Sequence, residues 1–277
     1  MSASDLSPRT FHREVLASLV RADVPFLVGG GFALARYAGV KRPIEGLDLF
    51  MRRDDWPGAA TALNHAGIDT HLVFSHWLAE ARDGERTVQI MYNGGNGLTP
   101  VDARWFDRAT SDEVVGVNVR LCPPEELIWS KAFVMERERF DGADILHLIR
   151  ARHDGLNWDR LLELFEPYPR VLVAHLVLFG FVYPGRTDNV PPWVLAHLWS
   201  EIGEEGRDAT SALCRGTVLS RGQYLVDVQH WGYTDARMFP FGTMTRPEIE
   251  RWTHAMDPAQ AIERSDVRGV WPPGTAR

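Results

Sequence analysis

The spacing of apolar and polar positions divides the chain into segments of different period. Phe11, Val15, Leu16 and Leu19 recur at helical spacing behind a Ser7-Pro8 start, which predicts a helix over Ser7 to Arg21. Phe26-Leu27-Val28 reads as a short buried strand. Gly29-Gly30-Gly31 then forms a turn that lets backbone come close to a ligand or another element. A helix from Phe32 to Tyr37, ended by Gly39, leads to Leu47–Met51. That last segment alternates with period two, with Asp48 and Phe50 on one face and Leu47, Leu49 and Met51 on the other.

Further along, Asp54 to Ala66 reads as a helix. His71–Phe74 and Thr87–Tyr92 read as strands, Asn93–Gly97 as a loop, and Val114–Leu121 as one strand around Gly116. A helix is predicted from Pro123-Pro124-Glu125-Glu126 through Lys131 to about Arg139, and another over Asp141 to Ala151. Trp158 to Thr217 is mainly helical. The tail from Phe239, rich in Pro, Gly, Trp and charge, reads as loosely ordered or as a strap. The layout is an α/β (α+β) half over 1–153 and a mainly helical domain over 154–277.

Composition narrows the class. At 277 residues, 45% hydrophobic and 24% charged, the chain is an ordinary globular sequence able to bury a core. Its net charge of -7 argues against a broad nucleic-acid footprint. Cys122 and Cys214 lack the neighbours of a zinc site and read as reduced thiols. The N-terminal stretch MSASDLSPRTFHRE has no apolar signal core. The most apolar run, Val171 to Tyr183, is too short to span a bilayer and suits a buried helix. The expectation is a cytoplasmic protein with no membrane partner.

The chemistry concentrates between Phe26 and Phe50. A glycine-rich turn between strand and helix presents backbone N–H groups to an anion. Asp48, one helix further on, can lie beside the same turn. Metal-assisted phosphoryl transfer needs carboxylates to hold Mg²⁺ against phosphate oxygens, and residues at i and i+2 on a strand share a face. Asp48 supplies one such carboxylate, but its i−2 neighbour is Gly46.

This region resembles the nucleotidyltransferase superfamily of the polymerase-β type, nearest the AbiEii/MenT-like and minimal nucleotidyltransferase branches. Arg42-Pro43-Ile44-Glu45-Gly46-Leu47-Asp48-Leu49-Phe50 stands where those families carry an Arg-x-Thr-x-Asp-x-Asp-Leu-Phe type strand. The resemblance continues through Pro123–Lys131 and Arg137–Asp144, and covers roughly residues 10 to 152. It implies a small mixed sheet with flanking helices, and an NTP- and Mg²⁺- (or Mn²⁺-) dependent transfer of a nucleoside monophosphate to an unknown acceptor: protein, RNA or small molecule. It assigns Gly29, Gly30 and Gly31 to the triphosphate, Asp48 to the metal, and Lys131 to the phosphate charge. Arg42 would support the nucleotide or the loop, and Asp141 or Asp144 would orient Lys131 or hold the helical turn.

The chain departs from that pattern at two positions. Gly46 replaces one expected carboxylate. Gln89, on the strand Thr87–Tyr92, stands where the family has its third. Glu45 faces away on a regular strand, and Asp102 would have to fold back to substitute. The alternative implied by these losses is a catalytically degenerate relative, a pseudoenzyme that binds a nucleotide or a protein partner. His147, His175 and His197 read as isolated core or surface histidines. Arg137 and Arg139 read as a charged helix end able to meet a nucleotide. Trp158, Trp193, Trp199, Trp231, Trp252 and Trp271 read as core aromatics.

Overall fold

The computed structural model describes residues 8–40, 42–44, 46–205 and 212–255. Ser7, Glu45, Trp271 and the end of the tail lie outside them. The α/β part comprises α1 (Pro8–Arg21), β1 (Leu27–Val28), α2 (Gly30–Ala38), β2 (Leu47–Phe50), α3 (Trp56–His65), β3 (Asp69–Phe74), β4 (Leu78–Asp83), β5 (Arg86–Met91), α4 (Arg104–Asp107), β6 (Thr110–Val114), β7 (Val117–Leu121), α5 (Pro124–Ala132) and α6 (Gly142–Arg152). The helical part follows with α7 (Trp158–Phe165), α8 (Pro169–Val182) and α9 (Pro192–Glu205). Beyond it come β8 (Leu213–Cys214), α10 (Leu225–His230), β9 (Thr234–Asp235) and α11 (Arg246–His254).

Seven strands form one mixed sheet in the order β3-β4-β5-β2-β1-β7-β6. At its centre β2 runs parallel to β5 and antiparallel to β1, which is parallel to β7. The period-two pattern sorts the faces. Leu47, Leu49, Val88, Ile90, Ala79 and Ala81 pack on Phe11, Val15, Leu16 and Leu19 of α1 and on Ala59 and Leu63 of α3. The opposite face carries Asp48 and Phe50, with Gln89 and Met91 beside them in register. Phe50 joins a second cluster that includes Ile128, Ile149, Leu161, Leu172 and Val194, so that cluster runs continuously from the sheet into the helical half.

Several sequence expectations change. Strand β4 escapes the pattern because in Leu78-Ala-Glu-Ala-Arg-Asp only alanines alternate with Leu78, Glu80 and Arg82; the Asp83-Gly84 turn into β5 is its hairpin signal. Val114–Leu121 is not one strand. Val115 and Gly116 both take positive φ (46° and 82°), which turns the chain between β6 and β7. The helix begun at Pro124 stops at Ala132 rather than near Arg139. Residues 134–140 instead form a loop closed by a Met135–Phe140 bridge. Helix α8 is buried on one side only: Val177 is 57% and Phe181 82% exposed. Of the aromatics expected in the core, Trp158 is buried, whereas Trp193, Trp199 and Trp231 are exposed.

Candidate functional site

On the polar face of the sheet lies a cavity of about 480 Å³, a size suited to a small-molecule ligand. The sheet supplies Asp48, Phe50, Gln89 and Met91. The loop 93–96 and the α5–α6 segment supply Asn93, Asn96, Lys131, Glu136, Glu138, Arg139 and Asp141. The C-terminal segment closes the third side with Thr217, Val218, Arg221 and Trp252.

The glycine turn is built around Asp48. The Gly29 N–H donates to the Asp48 main-chain carbonyl at 2.9 Å, so the turn folds onto β2. Gly30 has φ +52°, and a Cβ there would lie 1.9 Å from Asp48 Oδ2. Only glycine meets both conditions. Gly30 therefore lines the cavity, while Gly29 abuts the Phe50 ring and Gly31 faces Ile44. The first-turn N–H groups of α2 have no carbonyl one turn back.

Facing Asp48 is a closed ionic network. Lys131 Nζ donates to Asp141 Oδ2 at 2.7 Å and pairs with Asp144 Oδ2 at 2.8 Å. Arg139 grips Asp141 through two hydrogen bonds of 2.9 Å, and Arg42 reaches Asp144 at 2.9 Å. Burial opposes the charge on Asp141, but the Arg139 hydrogen bonds and the Lys131 charge outweigh it and hold the carboxyl at about 2. Asp144 is likewise held low: burial works against its charge, and Arg42 and Lys131 overcome it. Asp48 goes the other way. Burial pushes its carboxyl up, the charges of Lys131 and Arg139 pull it only partly back, and Asp141 adds to the rise. Among the described residues the Asp48 side chain makes no hydrogen bond or ion pair.

The expected residues thus come together in part. Gly30, Asp48, Lys131 and Asp141 line one cavity. Asp144 stands behind Lys131. Arg42 is half-exposed on the far side of Asp144, beside a separate shallow depression, and does not line the cavity. Arg139 is part of the wall. Asp102 does not fold back; it is exposed and bonded to Arg104. His175 is buried with Nε2 on the Ala132 carbonyl, as an isolated core histidine. Sequence reasoning missed Glu136, Arg221 and the cavity role of Trp252. The only signal in that region is the Thr245–Glu248 capping pair that starts α11, with the Thr245 N–H donating to Glu248 at 2.8 Å.

Two-ion phosphoryl transfer needs several carboxylates around ions ~4 Å apart. Beside Asp48 in the sheet stands Gln89, and before it Gly46. Among the described residues no three His, Cys, Asp or Glu side chains converge as a metal-ligand set, so these residues do not fit a two-ion centre. Among the same residues no helix is long and apolar enough to cross a membrane.

No family model and no curated protein matches the chain. Among solved structures it is similar to the antibiotic-resistance factor ANT(2'')-Ia, at 18% identity over 60% of this chain and 93% of that one, with a TM-score of 0.41. It is also similar to an antigenic nucleotidyltransferase-like protein from Paracoccidioides brasiliensis, at 16% identity over 66% and 91%, TM-score 0.39. A third is JHP933 from Helicobacter pylori, at 15% identity over 75% and 97%, TM-score 0.34. At these scores the likenesses carry no argument about the site.

Proposed function

We propose that the cavity is a nucleoside-phosphate site of nucleotidyltransferase type in a chain whose residues favour binding over transfer. The observation that supports this reading is the setting of Asp48. It is packed on the Gly30 turn and faces the Lys131 network, yet its neighbours are Gln89 and Gly46 rather than carboxylates. The glycine turn and the cations of the cavity wall suit a phosphorylated ligand. Asp48 with no carboxylate at Gln89 or Gly46 beside it does not suit a paired-ion transfer centre. Placement in the AbiEii/MenT-like branch is a proposal on the Arg42–Phe50 motif alone.

A second reading is an active NTP- and Mg²⁺- (or Mn²⁺-) dependent transferase with a protein, RNA or small-molecule acceptor. The absence of any pair to Asp48 among the described residues favours it, because that carboxyl is available to a ligand. The deciding experiment is label transfer from each α-labelled NTP with Mg²⁺ or Mn²⁺ and cell extract as acceptor, alongside calorimetric NTP binding. The chain is compared with a Gly46→Asp, Gln89→Asp double variant. A Cβ at Gly46 would meet nothing within 4 Å, so the first substitution has room. Binding by both proteins with transfer only by the double variant is the expected result. Transfer by the chain as it stands would establish the second reading. Absence of nucleotide binding in both would remove the nucleotide site altogether.

A further inference from the structure

We infer that the cavity's contact for a ligand anion is Arg221, carried by the C-terminal segment, and not Lys131. This rests on the nucleoside-phosphate reading of the cavity. It goes beyond that reading by naming a residue outside the resembling region and by giving the segment a role in recognition.

Three cations line the cavity, and they differ in how firmly they are held. Lys131 has two aspartates at 2.7 and 2.8 Å, and Arg139 is bound twice to Asp141 at 2.9 Å. A phosphate could win Lys131 only by breaking short buried pairs, which leaves a carboxylate uncompensated, and Arg139, though its side chain is exposed, would have to give up its double grip on Asp141. Arg221 is different. Its guanidinium donates no hydrogen bond among the described residues. Its ion pairs are long, 3.6 Å to Glu136 and 3.7 Å to Glu138, and Nε is buried without a hydrogen-bond partner. Glu136 is itself committed elsewhere, accepting from Ser220 Oγ at 2.5 Å and from the Arg221 N–H at 3.0 Å.

What positions Arg221 is packing. Its guanidinium lies 4.5 Å from the centroid of the Trp252 ring, and Trp252 meets Phe74 and Trp77 edge-on at 5.0 Å. The group is therefore oriented in advance, charged and short of hydrogen-bond acceptors. An entering phosphate supplies those acceptors, and a guanidinium binds two phosphate oxygens in a fork. The same side chain thus belongs both to the ligand contact and to the packing of the C-terminal segment.

The test is calorimetric titration of the full chain with ATP, AMP, adenosine and inorganic tripolyphosphate, for the parent, Arg221→Gln and Glu138→Gln. Loss of a charged contact predicts a fall of roughly 10- to 100-fold in ATP affinity for Arg221→Gln, with adenosine unchanged, so that the preference for ATP over AMP collapses. Glu138→Gln frees Arg221 from its one exposed partner and should tighten ATP binding. A purely structural pair would give the opposite sign. Retention of the ATP-over-AMP preference in Arg221→Gln would overturn the inference. If the parent binds no nucleotide, the nucleoside reading fails, and tripolyphosphate decides the rest. Binding to the parent but not to Arg221→Gln keeps Arg221 as the anion contact. Binding to neither protein, or equally to both, removes it.

Discussion

On the sheet side of the cavity, charge is met by charge at 2.7 to 2.9 Å through Lys131, Asp141, Asp144, Arg139 and Arg42. On the side made by the C-terminal segment, Arg221 has pairs of 3.6 and 3.7 Å and is held by the Trp252 ring. The first wall is fixed by short ionic contacts in a low-dielectric setting. The second is fixed by aromatic packing and by side-chain hydrogen bonds to backbone carbonyls, such as Asn96 Nδ2 to the Val218 carbonyl at 2.8 Å and Thr243 Oγ1 to the Gly97 carbonyl at 2.9 Å. A wall held by short pairs keeps its shape but has little charge to spare. A wall held by packing can offer its charge to a ligand.

The largest expected effect is on the first wall. Asp141→Ala leaves Lys131 with Asp144 alone and Arg139 with no carboxylate grip. It should destabilise the fold by about 3 to 5 kcal/mol, read by chemical denaturation. Lys131→Met should cost less, because Asp141 keeps Arg139 and Asp144 keeps Arg42. Equal losses would break the claim that Asp141 is the centre of the network. The pH dependence has a definite sign. The Asp141 carboxyl is held at about 2, below its ordinary value of 3.8, so its stabilisation is complete above the ordinary value and is lost as pH falls toward the lower one. In Asp141→Ala that part of the acid sensitivity should vanish.

The sequence shows these two walls unequally. The Gly29–Gly31 turn, Asp48 and Lys131 stand in local patterns: a strand, a glycine turn, an alternating strand, and a lone lysine among apolar helix positions. Pattern places Asp48 beside the glycine turn, and the resemblance adds Lys131 with Asp141 or Asp144, so the sequence already implies this grouping. Arg221 and Trp252 reach the cavity through tertiary packing across more than a hundred residues of chain, as the contacts of Trp252 with Phe74 and Trp77 show. No periodicity encodes such an approach. The same holds for β4, whose alternation of Leu78, Glu80 and Arg82 with Ala79 and Ala81 was too weakly apolar to mark a strand without its pairing to β5. For Arg42 the converse holds: a motif position does not say on which side of Asp144 a long side chain will settle, and it lies bonded to Asp144 outside the lining of the main cavity.

Next in size is Gly30→Ala. The added methyl lands on Asp48 Oδ2 and the residue must hold φ +52°, for a loss of at least about 2 kcal/mol in a thermal or denaturant melt. Combining it with Asp48→Gly should recover about 1 kcal/mol, since the clash goes and the backbone strain stays. Absence of that coupling would mean the turn is not built around Asp48. On the other wall, Trp252→Ala should cost about 2 kcal/mol, and the loss should be local. Backbone amides in 212–255 should lose hydrogen-exchange protection while those of β2 and β5 keep theirs. If the β2 amides exchanged as readily as the segment, the two walls would form one cooperative unit and the contrast between them would fail.

The smallest expected effect runs against the usual direction of mutation. Asp48 has no pair among the described residues, and burial raises its carboxyl despite the opposing charges of Lys131 and Arg139. An acid raised in the folded state stabilises most below its ordinary value, and that stabilisation is lost as pH rises through the folded one. Ionising Asp48 therefore works against folding, whereas ionised Asp141 in the same cavity works for it. Asp48→Asn, close in shape and uncharged, should raise the denaturation midpoint slightly near pH 7. The gain should shrink to nothing on acidification below the ordinary carboxylate range. Such a residue is kept at the expense of stability, which is what a ligand-facing group in a binding cavity requires. A drop in the midpoint at neutral pH would instead make Asp48 a structural member of the network, equal in kind to Asp141, and would remove it from the ligand-facing surface.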